Sequence, residues 1–224
     1  MIAGAGLVLL CGCTGDVSAL DPAGPAAASI ARLWWVMLAA AVPLFLLVVG
    51  LFLILVFKPE FGRGLSPRSW ILAGGLALPI PILAALTFYA FWEGEYLLRG
   101  GSPEPPDLVR VEATGTRWQW RFRYPDITGA PSTLGVLHIP AGQTVEVAVE
   151  SDDVIHSFWI PRLAGKIDAV PGHTNYLRLR ADQPGRYGGQ CSEYCGVGHA
   201  AMDFEVRAHA AEDYAAAIGA GDAQ

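Results

Sequence analysis

Cys191-Ser192-Glu193-Tyr194-Cys195-Gly196-Val197-Gly198-His199-Ala200-Ala201-Met202 holds two thiols, an imidazole, a thioether and a carboxylate within twelve positions. Cys195 lies four residues after Cys191, His199 four further on and Met202 three beyond that. Gly188, Gly189, Gly196 and Gly198 predict a backbone able to fold tightly around a shared centre. Thiolate and thioether are soft ligands and imidazole is borderline, a mixture that suits copper rather than the hard ions that prefer carboxylate and water. A single electron-transfer copper takes one Cys, one Met and two His. This loop has a second Cys and only one His, so it needs a His from elsewhere and opens the way to two ions bridged by both thiolates. A structural disulfide between Cys191 and Cys195 would leave His199 and Met202 unexplained, and structural zinc takes Cys and His, not a thioether.

The outside His stands in Asp153-Val154-Ile155-His156-Ser157-Phe158-Trp159-Ile160-Pro161, an otherwise apolar, strand-like run. With the loop and Lys166-Ile167-Asp168-Ala169-Val170-Pro171-Gly172, this run resembles subunit II of the bacterial haem-copper cytochrome c oxidases, which carries the binuclear CuA centre. The resemblance extends from about Ser18 to Tyr214. It implies that Cys191 and Cys195 bridge two coppers, that His156 and His199 each donate a ring nitrogen, that Met202 binds one copper, and that Glu193 binds through its backbone carbonyl. It also implies a magnesium ion held by the Glu193 carboxylate together with subunit I, electron input at Trp118, donor docking at Asp152 and Asp153, and a subunit I contact at Asp168.

The implied function is the electron-input subunit of a respiratory terminal oxidase, passing electrons from cytochrome c to the haem of subunit I for reduction of oxygen to water with proton pumping. The partners implied are subunit I, the other oxidase subunits, cytochrome c and the membrane. The nearest alternative is the small subunit of a CuA-containing nitric oxide reductase; a membrane-tethered copper carrier is a different class. A quinol oxidase subunit would lack the copper ligands, and nitrous oxide reductase would need a large further domain. No C-x-x-C-H occurs, so no haem is expected on this chain and the donor is separate. Many relatives carry a Glu just before the Trp that opens the second helix, near a proton channel. Here that neighbourhood reads Ser66-Pro67-Arg68-Ser69-Trp70, so proton uptake by that route is not expected.

Within Gly115 to Tyr124, alternation puts Trp118, Trp120, Phe122 and Tyr124 on one face of a strand, mostly as barrel core. Arg117, Arg121 and Arg123 make the same run basic, an unexpected sign beside a cationic donor unless acids such as Asp152 and Asp153 pair with them. From Pro103 to His209 thirteen acids face ten bases, enough for weak steering of a basic partner. The whole chain carries −6, which argues against a nucleic-acid partner. His138, His173 and His209 lack ligand spacing and read as structural or exposed.

With 224 residues, 53% hydrophobic and 16% charged, and a mean hydropathy of +0.37, the chain is too apolar for an ordinary soluble domain. The excess sits in two uncharged runs, Leu33 to Phe57 and Trp70 to Trp92. As helices both exceed the ~30 Å hydrocarbon core, so residues 33–92 read as a transmembrane hairpin. Trp34, Trp35, Trp70, Tyr89 and Trp92 lie near its ends, at headgroup level. Pro43, Pro79 and Pro81 predict kinks or a neighbouring protein. Lys58, Arg63 and Arg68 against Glu60 place the connecting loop in the cytoplasm. Both termini and the metal domain then lie outside, on the periplasmic side of a bacterial inner membrane.

Ahead of the hairpin, residues 1–12 resemble a lipoprotein signal with Cys13 as the lipidated residue, although no Lys or Arg precedes the apolar run. Residues 13–32, rich in Ala, Pro and Gly, read as an exposed linker. Beyond a Gly/Pro-rich boundary, residues 103–209 show short alternating runs at Leu108 to Thr114, Thr116 to Tyr124, Gly135 to Ile139, Thr144 to Glu150, Asn175 to Arg180 and Asp203 to Arg207. These predict a half-buried antiparallel sheet, and the family resemblance makes it a cupredoxin-like Greek-key barrel. Residues 210–224 form a tail with a short helix from Ala211 to Ile218.

Overall fold

The computed structural model describes residues 13–64, 66–98 and 107–219. The signal-like residues 1–12, the boundary at 103–106 and the tail end at 220–224 lie outside the described residues. Two compact units are present, one joining the residues up to Ala31 with the β domain and the other beginning at Arg32.

The helix α1 (Pro25–Phe57) begins in the first unit and carries the first apolar run through the second. The second run is built from α2 (Pro67–Leu72), a π-helical turn (Ala73–Ala77) and α3 (Pro79–Leu98). Proline lacks an N–H and its ring crowds the carbonyl four residues back, so a widened turn just before Pro79 relieves the conflict. In that turn Leu78 N–H donates to the Ala73 carbonyl at 3.0 Å. Ser66 caps α2, its hydroxyl accepting from Ser69 N–H at 3.1 Å, with Pro67 at the first helical position.

The most apolar stretches of both spans are wholly unburied. A core helix of a soluble domain would be mostly covered. Here large side chains such as Phe45, Phe57, Phe88 and Trp92 are exposed, at 66%, 79%, 70% and 70%. Spans of 33 and 26 residues with this surface fit a hydrocarbon environment.

The β domain packs two five-stranded sheets. The first orders its strands β3 (Thr133–Leu134), β2 (Gln119–Arg123), β1 (Val109–Thr116), β5 (Val145–Ser151) and β8 (Asn175–Leu179). The second runs β4 (Val136–Pro140), β10 (Asp203–His209), β9 (Gly185–Cys191), β6 (His156–Trp159) and β7 (Ile167–Ala169). Alternation buries one face of each strand, as in Val111 and Ala113 on β1 and Val145, Val147 and Val149 on β5. Phe158 stacks on Phe204 with centroids 5.1 Å apart, and Trp120 and Phe122 reach this pair from the other sheet at 5.5 and 5.4 Å. This aromatic layer lies beneath the metal loop.

The sheets depart from the sequence expectation in three ways. They are mixed, because β1 pairs with β5 and β4 with β10 in parallel. Gly188 and Gly189 belong to β9 and not to a tight wrap. A Cβ at Gly189 would run into the Phe204 ring, so the strand needs glycine there to approach the aromatic layer. And the run from Gly115 to Tyr124 is broken by a turn at Arg117 and Trp118, which makes a β1–β2 hairpin. Trp120, Phe122 and Tyr124 are buried, whereas Trp118 is 42% exposed in that turn.

Nor are residues 13–32, which include the first turns of α1, an exposed linker throughout. Ala23 N–H donates to the Arg162 carbonyl at 2.7 Å, Ala27 N–H to Leu163 at 3.3 Å, and Asp182 N–H to the Ala23 carbonyl at 2.9 Å. Arg162 closes on Asp21 at 2.9 Å. Small residues permit this contact: Gly24, Ala27 and Ala31 are buried, and a Cβ at Gly24 would strike the Arg180 carbonyl. Cys13 is exposed. The terminal helix α4 spans Tyr214–Gly219 and seats Tyr214 and Ile218 in the core. His138 and His209 meet across β4 and β10, Nδ1 to Nε2 at 2.8 Å. His173 is exposed in a turn.

Candidate metal centre

The loop is pinned at its neck. Cys191, the last residue of β9, donates its N–H to the Met202 carbonyl at 2.9 Å, so the twelve residues close on themselves. Ser192 N–H donates to the Ser157 carbonyl at 2.9 Å, tying the loop to β6. A single 3₁₀ turn, His199–Ala201, then brings the imidazole and the thioether inward. Gly196 adopts a φ of +123°, a backbone conformation open to glycine, and so provides the reversal before that turn.

The donor atoms converge. Cys191 Sγ and Cys195 Sγ are 3.8 Å apart and both thiols are free. That separation excludes a disulfide, whose sulfurs bond at ~2.05 Å. His156 Nδ1 is 3.8 Å from Cys191 Sγ, His199 Nδ1 is 3.7 Å from Cys195 Sγ, and Met202 Sδ is 3.7 Å from Cys195 Sγ. The Glu193 carbonyl oxygen is 3.3 Å from Cys191 Sγ. His156, Cys191 and Cys195 offer ligand atoms all within 4.8 Å of one another, and all three are buried. Thiolate bonds of ~2.3 Å and imidazole bonds of ~2.0 Å, the lengths of comparable sites, are compatible with sulfur and nitrogen atoms 3.7–3.8 Å apart on one ion. The donor set combines soft sulfurs with borderline imidazoles, all buried except the half-buried His199, and it fits copper.

His156 is held on three sides. Its Nε2–H donates to Asp153 Oδ1 at 2.8 Å, which leaves the Nδ1 lone pair facing Cys191. Trp120 meets the ring edge-on with centroids 6.1 Å apart. Gly115 on β1 lies beneath it, where an added Cβ would come within 3.0 Å of the imidazole. His199 packs against the exposed Tyr194 ring at 5.8 Å. Burial, and then the neighbouring Cys191, push the Cys195 thiol up to about 11, so a bound cation must displace its proton. Burial also pushes the Asp153 carboxyl up. Hydrogen bonds from His156 and from the Arg117 and Val154 N–H groups outweigh it and hold that group well below the usual carboxylate range.

Trp118 sits beside this loop. Its indole covers Gly198 and Gly196, since a Cβ at either would meet the ring, at 3.3 Å in the case of Gly196. The basic residues flanking it are each matched by an acid: Arg117 with Asp153 at 3.3 Å, Arg121 with Asp152 at 3.8 Å and Arg123 with Glu112 at 3.9 Å. Of the two acids expected to dock a donor, Asp152 is 58% exposed, whereas Asp153 is 22% exposed and turned toward His156. Asp168 lies on β7, partly exposed and paired with Lys166 at 3.2 Å, and the Glu193 side chain is exposed. Sequence reasoning missed Gly115 and the inward turn of Asp153. The one signal for the latter is an acid three residues before a ligand-type His.

Residues 109–209 match the family described as "Cytochrome C oxidase subunit II, periplasmic domain". Cytochrome c oxidase subunit 2 of Alkalihalophilus pseudofirmus is 33% identical over 218 residues, covering 92% of this chain and 63% of that protein. The same subunit of Thermostichus vulcanus is 43% identical over 119 residues, covering 51% of this chain and 35% of that protein. The chain thus spans less than two thirds of either relative's length. Among solved structures, the periplasmic domain of subunit II of cytochrome oxidase from Bradyrhizobium japonicum is similar with a TM-score of 0.49 and 29% identity, covering 53% of this chain and 94% of that one.

Proposed function

We propose that this chain, whose residues 109–209 match the cytochrome c oxidase subunit II family, belongs to that family as the electron-input subunit of a respiratory terminal oxidase. In this reading a binuclear copper centre is held by Cys191, Cys195, His156, His199, Met202 and the Glu193 carbonyl. The observation that carries it is the convergence of two thiols, two ring nitrogens and a thioether on one buried spot, each within 3.8 Å of a cysteine sulfur. Bound there, copper supplies a one-electron relay between cytochrome c and the haem of subunit I, where oxygen is reduced to water and protons are pumped.

The chain's own residues keep that relay rigid. The β-sheet framework and the closed loop neck fix the donors from both ends of the loop, so little has to move when charge arrives. Trp120, Phe158 and Phe204 form a dry floor under the site. Trp118, seated on the loop with one edge in solvent, is the point at which a docked donor makes contact, and Asp152 supplies the exposed negative charge that steers it. The Glu193 carboxylate faces outward as a magnesium ligand shared with subunit I, which Asp168 also contacts; magnesium prefers such oxygen donors. Chelation should therefore remove magnesium from the assembled complex, and its retention by a Glu193→Gln complex would contradict this assignment.

Assay of the purified complex separates this function from its nearest rival. Oxygen uptake driven by reduced cytochrome c is expected. Nitric oxide consumption without oxygen uptake would instead favour a nitric oxide reductase.

The basic loop between the spans supports a cytoplasmic loop with both termini outside. A lone cysteine introduced by Gly64→Cys, with the native cysteines replaced by serine, should resist an impermeant thiol reagent added to intact cells. Ready labelling would reverse the topology.

A further inference from the structure

Asp153 reads from sequence as a charge for the donor, yet its carboxylate joins two parts of the site. Oδ1 accepts from His156 Nε2–H at 2.8 Å and from Val154 N–H at 2.6 Å. Oδ2 accepts from Arg117 N–H at 2.9 Å and from the Arg117 Nε–H at 3.3 Å. Ser151 steadies the same corner, its hydroxyl accepting from Asp153 N–H at 3.2 Å and donating to the Val154 carbonyl. Arg117 is the residue before Trp118, whose indole rests on Gly196 and Gly198 of the metal loop. One carboxylate therefore connects the turn bearing the electron-input tryptophan to a copper histidine.

We infer that Asp153 is a clamp: a positioning residue that fixes the His156 ring with Nδ1 toward the copper and, through its other oxygen, holds the Arg117–Trp118 turn against the loop. This rests on the copper reading proposed above. An ionised carboxylate is acceptor-only, so it can serve both arms at once, and it selects the Nε2–H tautomer of His156. Outer partners of this kind set ligand orientation and basicity, and losing one typically costs ~10–100-fold in metal affinity or activity. With 22% of its side chain exposed and both oxygens occupied, Asp153 has little left to offer a docking partner.

Two substitutions in the full chain, purified in detergent and loaded with copper, separate clamp from docking charge. Asp153→Glu keeps the negative charge but is one methylene too long to serve both arms. It should weaken copper affinity, read by chelator competition, by ~10–100-fold and shift the midpoint potential, while the salt dependence of reduction by a basic cytochrome c stays parental. Asp152→Asn removes a charge at the neighbouring exposed position. It should leave affinity and potential parental and slow reduction most at low salt, where screening is weakest. An Asp153→Glu chain with parental affinity and potential would overturn the clamp.

The His156 Nε2 proton gives a reading that needs neither substitution nor metal. Its exchange with solvent, followed by nuclear magnetic resonance, should be slow, and exchange as fast as that of an exposed imidazole would overturn the inference even if a variant failed to fold. Failure of the copper reading itself would show earlier, as a parental chain that takes up no copper.

Discussion

The Cys195→Ser chain is expected to lose its copper pair while keeping its fold. Cys195 Sγ is the hub of the cluster, lying within 3.8 Å of Cys191 Sγ, His199 Nδ1 and Met202 Sδ. A serine hydroxyl is a hard donor that stays protonated at neutral pH, so it cannot take the place of a bridging thiolate. The loss in affinity should exceed the ~10–100-fold typical of removing an outer partner. The fold should survive because the loop neck is a backbone bond, Cys191 N–H to the Met202 carbonyl, and the aromatic layer beneath is untouched. Near-ultraviolet circular dichroism of the metal-free variant should match the parent, and a titration that still fills two coppers would refute the bridging role. Met202→Leu is the milder contrast, because a thioether is a weak donor. It should keep both coppers and move the potential.

Trp118→Ala is expected to slow electron transfer from cytochrome c to copper on the order of tenfold or more, equivalent to ~1.4 kcal/mol or more of barrier, with copper content unchanged. The indole bridges solvent and the metal loop, being 42% exposed on one side and against Gly198 and Gly196 on the other. Truncation removes that contact without opening the core. Rapid-mixing kinetics with a reduced basic cytochrome c would measure it. A parental rate with copper fully loaded would mean that electrons arrive elsewhere. Trp120→Ala is the structural counterpart. That residue is fully buried in the aromatic layer, so its loss should cost ~3–5 kcal/mol of stability.

These two tryptophans show where sequence reading succeeds and where it stops. Period-two alternation places Trp118 and Trp120 together, yet the turn at Arg117 and Trp118 turns one to solvent and leaves the other in the core. The cluster of thiols, imidazoles and thioether is legible because five ligand-type residues crowd one loop and one run, a density that packing alone does not explain. The two long apolar helices are legible because their length and hydropathy are read directly from the sequence. By contrast, residues 16–28 give no periodic signal. What docks that segment is backbone hydrogen bonding to Arg162, Leu163, Asp182 and Gly188, to which side-chain patterns are blind. β9 is hidden for a related reason, since its glycines signal turns although they serve close approach to Phe204. The parallel pairing of β1 with β5 and of β4 with β10 is set by topology, which no local run encodes.

A pair of coppers sharing one electron in the cluster of Cys191, Cys195, His156, His199 and Met202 has a direct signature in metal analysis of the purified chain combined with electron-spin resonance of the same sample. Two coppers per chain and hyperfine splitting from both nuclei are predicted. One copper with splitting from a single nucleus, or zinc alone, would contradict it.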